Sequence, residues 1–214
     1  MESVKIDIIN PKAFQILQNL ADLNLIEIKK ENTSTEFEKM NIEKVVLVDQ
    51  QDKAVGEMEK MEAHEKAVLH RAFSVFVFND RDELMLQQRA MHKYHSPGLW
   101  TNTCCSHQRD GEGNLDAGKR RLDEEMGFVT ELQESTSFIY KAPFDNGLTE
   151  HEYDHVMIGY YNASPVINPD EVADWKWITL EDVKSDISSH PEKYTEWFKI
   201  IFEKFYEFIN VNEQ

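Results

Sequence analysis

Strand-like and helix-like segments alternate from about residue 42 to the end of the chain, and this alternation most limits the folds available to it. The strand pattern recurs in IEKVVLVD, AFSVFVFND, ELMLQQR, SFIYKAPF and HVMIGYY. A polar, helix-favouring segment runs from Asn114 to Met126 and ends at Gly127, and helical periodicity returns in LEDVKSDI and YTEWFKIIFEKFYEFI. Strands with interleaved helices predict an α+β or α/β sandwich.

The first 40 residues have a different pattern from the rest of the chain. Asn10 followed by Pro11 is typical of a helix start, and a short amphipathic helix is expected after them. The polar segment KKENTSTEFEK then has the composition of a linker. We therefore expect an amino-terminal extension of unknown role over residues 1–40 and one main domain over residues 41–214.

Charge and composition restrict the partners and the location of the protein. Its 40 acidic and 23 basic residues give a net charge of −17, which would repel nucleic acid and an anionic membrane surface. Neither is therefore an expected partner, and an anionic small substrate would need a local cluster of Arg and Lys or a bound divalent cation. The amino terminus lacks the basic and apolar segments of a secretory signal, so a cytoplasmic location is expected.

The chain has two cysteines, the neighbours Cys104 and Cys105. Neighbouring residues rarely form a disulfide, so a disulfide framework is excluded and a reactive or metal-binding thiol becomes possible. On an extended segment the two side chains point to opposite sides, so they are expected to have different surroundings.

The segment from Ser106 to Phe128 is the most informative about chemistry. On a helix, Arg121, Glu124 and Glu125 lie within one turn, so two carboxylates and a guanidinium share a face. This arrangement is typical of a cation-binding site. A charged, solvent-exposed helix that ends at a glycine cap is the alternative interpretation.

The same segment resembles the Nudix box, G-x5-E-x7-R-E-U-x-E-E-x-G-U, where U is an apolar residue. The residues that match are Glu112, Arg120, Leu122, Glu124, Glu125, Gly127 and Phe128. Ser106 stands in place of the first glycine, and Arg121 stands in place of the first helical glutamate. Nudix hydrolases use that glutamate to hold the metals that activate water, so its absence argues against pyrophosphate hydrolysis.

These departures, together with four further motifs, resemble the type I isopentenyl diphosphate isomerases, a family built on the Nudix fold. The motifs are KMEAHEKAVLHRAFSVFVFN, QQRAMHKYHSPGLWTNTCCSH, YKAPFDNGLTEHE and DEVADWKW, and with the box they extend from residue 42 to about residue 180. The resemblance implies an α+β fold, an α/β/α sandwich with a Nudix-type mixed β-sheet flanked by helices. It also implies the conversion of isopentenyl diphosphate to dimethylallyl diphosphate, through a carbocation, for isoprenoid biosynthesis.

The resemblance implies two cation sites. One divalent metal, Mn²⁺, Mg²⁺ or Zn²⁺, would be held by a mixture of nitrogen and oxygen donors, which suits octahedral coordination. These donors are His64, His70, His107, Glu150 and Glu152. The first two histidines are six residues apart, where the bacterial members have seven. A second cation, Mg²⁺, would enter with the substrate diphosphate and be held by Glu125.

The resemblance also implies how the substrate is bound and converted. The diphosphate would be surrounded by Lys60, Arg89, Lys93 and Arg121. Cys105 and Glu152 would move the two protons of the reaction, with Tyr140 hydrogen-bonded to the glutamate. Trp177 would stack on the developing cation, and Trp100 would help to close the pocket.

Two alternatives to the isomerase are a Nudix pyrophosphohydrolase and a non-catalytic Nudix-like binding module. The hydrolase would require glutamate at position 121, where the chain has Arg121. The binding module would tolerate the loss of Cys105, Glu152 and Tyr140, which are all present. A small-molecule diphosphate is the expected partner, and the chain is expected to be a monomer or a homodimer.

Overall fold

The computed structural model describes residues 17, 20, 21, 25, 26 and 43–212, apart from 94, 145 and 146, and of residues 207–212 it describes the backbone alone. The chain divides into two compact units, Met1–Ile42 and Glu43–Gln214. In the first unit Leu17, Leu20 and Ala21 are helical, on the segment where a helix is expected. The start of that helix and the expected linker lie outside the described residues. The domain limits and the role of the extension stay predictions.

The described part of the second unit contains nine strands and four α-helices. The strands are β1 (Lys44–Val48), β2 (Ala54–Glu59), β3 (His70–Phe78), β4 (Glu83–Arg89), β5 (Trp100–Thr101), β6 (Cys104–Ser106), β7 (Leu132–Pro143), β8 (Thr149–Tyr160) and β9 (Val172–Thr179). The helices are α1 (Lys60–Glu65), α2 (Asn114–Met126), α3 (Leu180–Ser189) and α4 (Glu196–Asn212). The helix expected from Asn114 to Met126 is confirmed at both ends. Among the described helices, none is both long enough and apolar enough to cross a membrane.

A mixed sheet organises this unit, with β3 near its centre. On one edge β3 is parallel to β8 along its whole length, in a register that places His70 beside Glu152 and Phe78 beside Tyr160. On the other edge it is antiparallel to β1, β6 and β4 in turn. β7 pairs antiparallel with β8, and β9 pairs antiparallel with β4. Residues of β6 and β8 therefore flank β3 from its two sides.

Alternate residues of β3 point to opposite faces of the sheet and build two apolar cores. One core joins β3 to α2 through Phe73, Val75, Val77, Leu122 and Met126. The other joins β3 to α4 through Phe76, Phe78, Phe198, Ile201 and Phe205. Helices thus cover both faces of the sheet, and the expected α+β sandwich is confirmed.

The carboxyl end of α2 is fixed by the loop that packs over it. Gly127 has a φ of +68°, and a Cβ there would lie 2.3 Å from the Val166 carbonyl oxygen, so the position requires glycine. The N–H groups of Val166 and Asn168 donate to the carbonyl oxygens of Met126 and Glu125, at 3.0 and 2.9 Å. These bonds hold Glu125, on the last turn of α2, in one position.

Candidate active site and metal centre

A cavity of about 200 Å³ lies where β6, β8, α1, α2 and α4 contribute side chains. Its described lining is dominated by ionisable residues. The acidic ones are Glu43, Glu125, Glu150, Glu152 and Glu171. The others include Lys60, Arg89, Lys93, Arg121, His95, His107, Cys105 and Tyr140. A concentration of ionisable groups in a concave site is typical of places that bind and convert a ligand.

Four largely buried side chains bring their metal-binding atoms together at this site. The ligand atoms of His64, His70, His107 and Glu152 all lie within 4.8 Å of one another. Burial lowers the pKa of His64, and it lowers the pKa of His107 to about 4, so both rings are neutral near pH 7, as metal binding requires. Three imidazoles and a carboxylate in this arrangement fit one divalent cation.

These four residues come from separate elements of the fold. α1 carries His64, β3 begins at His70, and His107 follows the last residue of β6. Glu152 lies on β8 directly beside His70, because β3 and β8 are paired in parallel in that register. The spacing of six residues between the first two histidines does not keep His64 away, since its ring centroid is 4.8 Å from that of His70.

Two backbone carbonyls fix the orientation of His64 and His70. The Nδ1–H groups of these rings donate to the carbonyl oxygens of Lys60 and Val68, at 2.6 and 2.8 Å. A carbonyl oxygen only accepts, so Nδ1 carries the proton and Nε2 keeps its lone pair. Nε2 of His70 is buried, has no hydrogen-bond partner among the described residues, and lies 3.6 Å from Glu152 Oε1. This unused lone pair fits a metal ligand.

Glu152 connects the metal-binding cluster to Tyr140. Tyr140 lies opposite Glu152 in the β7–β8 pairing, and its hydroxyl oxygen is 2.5 Å from Glu152 Oε2 and 3.0 Å from Glu150 Oε2. His107 Nε2 lies 3.1 Å from the other oxygen of Glu152. Glu150, expected as a fifth ligand, is outside the four-residue cluster and contacts Tyr140 instead.

The two neighbouring carboxyl groups have opposite protonation tendencies. Burial and the charge of Glu152 raise the pKa of Glu150 well above its ordinary value. Burial also acts to raise the pKa of Glu152, but the hydrogen bond with His107 and the closeness of His70 hold it well below the ordinary value. A proton on the pair therefore favours Glu150 over Glu152, and the Tyr140 hydroxyl lies between the two groups.

The two cysteines face different surroundings, as expected for neighbours on a strand. Cys105 pairs with Ser74 across β6 and β3 and lines the cavity. Burial raises the pKa of Cys105 to about 12, so it is a protonated thiol near pH 7. Cys104 is fully buried, is absent from the described lining, and its Sγ donates to Glu125 Oε1 at 3.5 Å.

The four expected diphosphate ligands, Lys60, Arg89, Lys93 and Arg121, all line the cavity. Glu171 links two of them, since its Oε2 accepts from Lys93 Nζ and lies 3.4 Å from Arg121 Nη2. The Nε atoms of Arg89 and Arg121 are buried and have no hydrogen-bond partner among the described residues. Two guanidinium N–H donors are thus available to an anion in the cavity.

Trp177 and Trp100 do not lie where the substrate was expected to meet them, since the described lining contains neither. Trp177 is on β9, pairs with Met85 and meets Trp175 edge-on, at 6.3 Å between ring centroids. The Trp100 ring instead packs against the Lys176 ammonium, whose Nζ lies 4.3 Å from the ring centroid. The described structure therefore gives neither expectation support.

The tryptophan that lines the cavity is Trp197, on α4. Its Nε1–H donates to Thr101 Oγ1 at 3.1 Å, and the Arg89 guanidinium carbon is 5.1 Å from the ring centroid. Sequence reasoning placed this residue only on an amphipathic helix. The signal that identifies it is long-range packing, because its hydrogen-bond partner is 96 residues away in the chain.

Sequence reasoning also missed Gln87 and Glu171, which line the cavity. Both lie in motifs that the resemblance rests on, QQRAMHKYHSPGLWTNTCCSH and DEVADWKW. Gln87 is 3% exposed, and its Nε2 is 2.8 Å from Glu125 Oε2. The available signal for Gln87 was a polar residue that directly follows the apolar run LML on a predicted strand.

Comparison with solved structures supports the fold. The chain is similar to DR0079 from Deinococcus radiodurans, with a TM-score of 0.64 and 21% identity over 76% of this chain and 98% of that one. It is also similar to a MutT protein from Methanosarcina mazei, with a TM-score of 0.55 and 17% identity over 68% and 96% of the two chains. At these identities the likeness shows the fold alone.

Comparison of sequences identifies the family. The family model described as NUDIX domain matches residues 68–198. The chain is 52% identical over 155 residues to isopentenyl-diphosphate Delta-isomerase 2 of Aromatoleum aromaticum, covering 72% of this chain and 82% of the relative. It is 52% identical over 157 residues to the protein of that name in Photorhabdus laumondii, covering 73% and 89%. The chain therefore belongs to the isopentenyl-diphosphate Delta-isomerases of the NUDIX family.

Proposed function

We propose that this protein converts isopentenyl diphosphate to dimethylallyl diphosphate, a step of isoprenoid biosynthesis. The observation that carries the proposal is the position of Glu152. One of its oxygens meets the histidine cluster, the other meets Tyr140, and the Cys105 thiol lines the same cavity. Curated relatives that are 45% to 52% identical carry the name of this activity.

The reaction needs one proton added to the substrate and one removed. Addition to the terminal CH2 uses the two π electrons to form a C–H bond and leaves a tertiary carbocation. When the neighbouring CH2 then loses a proton, the electron pair of the broken C–H bond forms the new double bond of the substrate. One proton is added and one is removed, so the product has the same atoms and electrons as the substrate. Glu152, with Tyr140 on its Oε2, and Cys105 are the pair that adds and removes these protons.

The carbocation needs an electron-rich surface and shelter from water. Trp197 lines the cavity and takes the role first expected of Trp177. A desolvated aromatic face stabilises a cation by about 1–2 kcal/mol. The guanidinium carbon of Arg89 lies 5.1 Å from the centroid of the Trp197 ring. Trp197 is therefore also close to one of the side chains that would bind the diphosphate.

The metal cluster takes one divalent cation, Mn²⁺, Mg²⁺ or Zn²⁺, on His64, His70, His107 and Glu152. When bound, this cation would supply a Lewis acid beside the Glu152 carboxyl. Glu125 is the residue that would hold the Mg²⁺ that accompanies the diphosphate. Its carboxylate lines the cavity together with Arg121, whose Nε has no described partner and is available to a phosphate oxygen.

The hydrolase and binding-module alternatives have less support. Arg121 occupies the position of the first helical glutamate of the Nudix box. Glu112, another residue of the box, forms an ion pair with Arg120, whose Nε donates to Glu112 Oε1 at 2.7 Å. A binding module would have no use for the buried pair Glu150 and Glu152, whose shifted pKa values are typical of catalytic groups. A cytoplasmic location and a monomeric or dimeric state remain expectations from the sequence.

The test is incubation of the purified protein with isopentenyl diphosphate and Mg²⁺ in deuterated water, followed by NMR. We expect dimethylallyl diphosphate with deuterium in a methyl group, because the added proton comes from a group that exchanges with solvent. Release of phosphate without isomer would mean that the chain is a hydrolase. Binding of the diphosphate with neither product would mean that it is a binding module.

A further inference from the structure

Glu125 is held by three hydrogen-bond donors of different kinds. Its carboxylate is buried, at 4% exposure, on the last turn of α2. Oε1 accepts from Arg121 Nη2 at 2.5 Å and from Cys104 Sγ at 3.5 Å. Oε2 accepts from Gln87 Nε2 at 2.8 Å. Each oxygen therefore has its own donors, and the two sides of the carboxylate are distinguishable.

Gln87 is anchored to the middle of the sheet. The same Nε2 donates a second hydrogen bond to the Thr103 carbonyl oxygen at 3.0 Å, so both amide hydrogens are used. Thr103 is itself fixed, because its hydroxyl donates to the Met85 carbonyl at 2.6 Å and accepts from the Val77 N–H at 2.9 Å. The chain of contacts from β3 and β4 through Gln87 leaves the Glu125 carboxylate little freedom to rotate.

Charge distinguishes Gln87 from Arg121 as a support for Glu125. A guanidinium next to a carboxylate opposes the approach of a divalent cation, and Arg121 is also shared with Glu124 at 2.8 Å and with Glu171. The Gln87 amide is neutral, so it can stay on Oε2 while the Arg121 side chain moves away and leaves Oε1 to a cation. Ligating carboxylates are commonly oriented by such neutral donors, whose loss typically weakens metal binding.

We propose that Gln87 is a positioning residue that sets the affinity of Glu125 for the divalent cation of the substrate diphosphate. This inference rests on the proposed function, in which Glu125 holds that cation. The described side-chain hydrogen bonds of Gln87 go to Thr103 and Glu125, and none goes to Cys105, Tyr140 or Glu152. It acts through Glu125, by keeping one oxygen bonded to the sheet and leaving the other for the cation.

The test measures cation binding without turnover. Mn²⁺ replaces Mg²⁺, isopentyl diphosphate replaces the substrate because it has no double bond, and electron paramagnetic resonance counts free and bound Mn²⁺. We expect Gln87→Met to weaken the diphosphate-dependent binding of Mn²⁺ by roughly 10–100-fold. Binding of Mn²⁺ without the diphosphate should stay unchanged. Gln87→Asn, too short to reach Glu125, should act in the same direction if Gln87→Met does not fold.

The matched control is Gln88→Met, the same substitution at the next position of β4. Gln88 Nε2 donates to the Gly98 carbonyl at 2.9 Å and makes no described bond to Glu125. The Mn²⁺ affinity of the Gln88→Met protein should therefore stay within about twofold of the native value. Native affinity in both Gln87→Met and Gln87→Asn, with loss in Glu125→Gln, would overturn the inference and leave the proposed function intact. Native affinity in Glu125→Gln as well would overturn the assignment of the cation to Glu125.

Discussion

The inner and outer parts of the cavity differ in how their charges are balanced. The inner region consists of His64, His70, His107, Glu152 and Tyr140, which are largely buried. The outer region consists of Lys93, Arg121 and Glu171, whose side chains are 19% to 24% exposed. Neutral ring nitrogens surround one carboxylate inside, whereas opposite charges are paired outside.

This difference indicates a division of labour. The inner region is costly without a ligand, because a buried polar atom such as His70 Nε2 lacks a partner among the described residues. The outer region pairs its charges through Glu171 and leaves Arg121 Nε–H as a donor without a described partner. Its ion pairs can exchange partners when an anion arrives. We therefore expect changes inside to affect turnover and metal binding, and changes outside to affect substrate affinity.

The largest expected effect separates the two cysteines. Cys105→Ser should abolish detectable turnover, a loss of more than about 10³-fold, because a hydroxyl is a far poorer proton carrier than a thiol. Cys104→Ser should keep turnover within about tenfold, because a serine hydroxyl can still donate to Glu125. Product formation by NMR measures both. A greater loss in Cys104→Ser than in Cys105→Ser would refute the assignment of the thiols.

The next effect is the pH dependence of the metal-free protein. Burial lowers the pKa of His107 from its ordinary value of 6.5 to about 4, so below pH 6.5 the unfolded chain binds a proton that the folded chain does not. Stability should fall as the pH drops from about 6.5 to about 4. Between pH 7 and pH 5 this one group should lower the free energy of unfolding by about 2 kcal/mol.

The comparison that isolates His107 is urea unfolding of the native protein and of His107→Gln, both after chelation. His107→Gln should lose about 2 kcal/mol less than the native protein between pH 7 and pH 5. His64, whose pKa burial also lowers, contributes the same loss to both proteins and cancels. Parallel losses in the two proteins would show that His107 is not buried as a neutral ring.

Local patterns predicted the elements better than the site. The helix Asn114–Met126 was predicted correctly because its polar composition favours a helix and Gly127 marks its end. The strands β5 and β6 have two and three residues, too few for a periodic pattern to reveal. Elements of that length are set by their neighbours, here β4 and β3, rather than by their own residues.

The tryptophans show why part of the site could not be predicted. Nothing in the residues around Trp177 and Trp197 distinguishes a ring that lines a cavity from one that packs on a sheet. The difference arises from tertiary contacts. Trp197 lies on α4 and its Nε1–H donates to Thr101 Oγ1, whereas Trp177 lies on β9 and pairs with Met85 of β4. The histidine cluster was accessible to sequence reasoning only through the resemblance, since its members come from four separate elements.

A smaller effect is expected in the outer region. Lys93→Met removes a cation that now pairs with Glu171 and is expected to meet the diphosphate. The KM should rise about tenfold, in line with the loss of one charge-assisted hydrogen bond. The kcat should change little, because the diphosphate takes no part in the proton transfers. Lys66→Met, at an exposed lysine paired with Glu62, is the control, and a large fall in kcat for Lys93→Met would break the proposed division.

The smallest effect is expected from deletion of residues 1–39. All described residues of the inner and outer regions lie in the second unit, Glu43–Gln214, and so do both apolar cores. Turnover should therefore stay within about twofold of the native value, which is a smaller change than the loss of one hydrogen bond in the site would cause. Steady-state kinetics and sedimentation of the shortened and full chains measure turnover and assembly separately. A fall in turnover together with a change of assembly would mean that the extension completes the site through an oligomer. A fall in turnover without a change of assembly would mean that it contributes to the site within one chain.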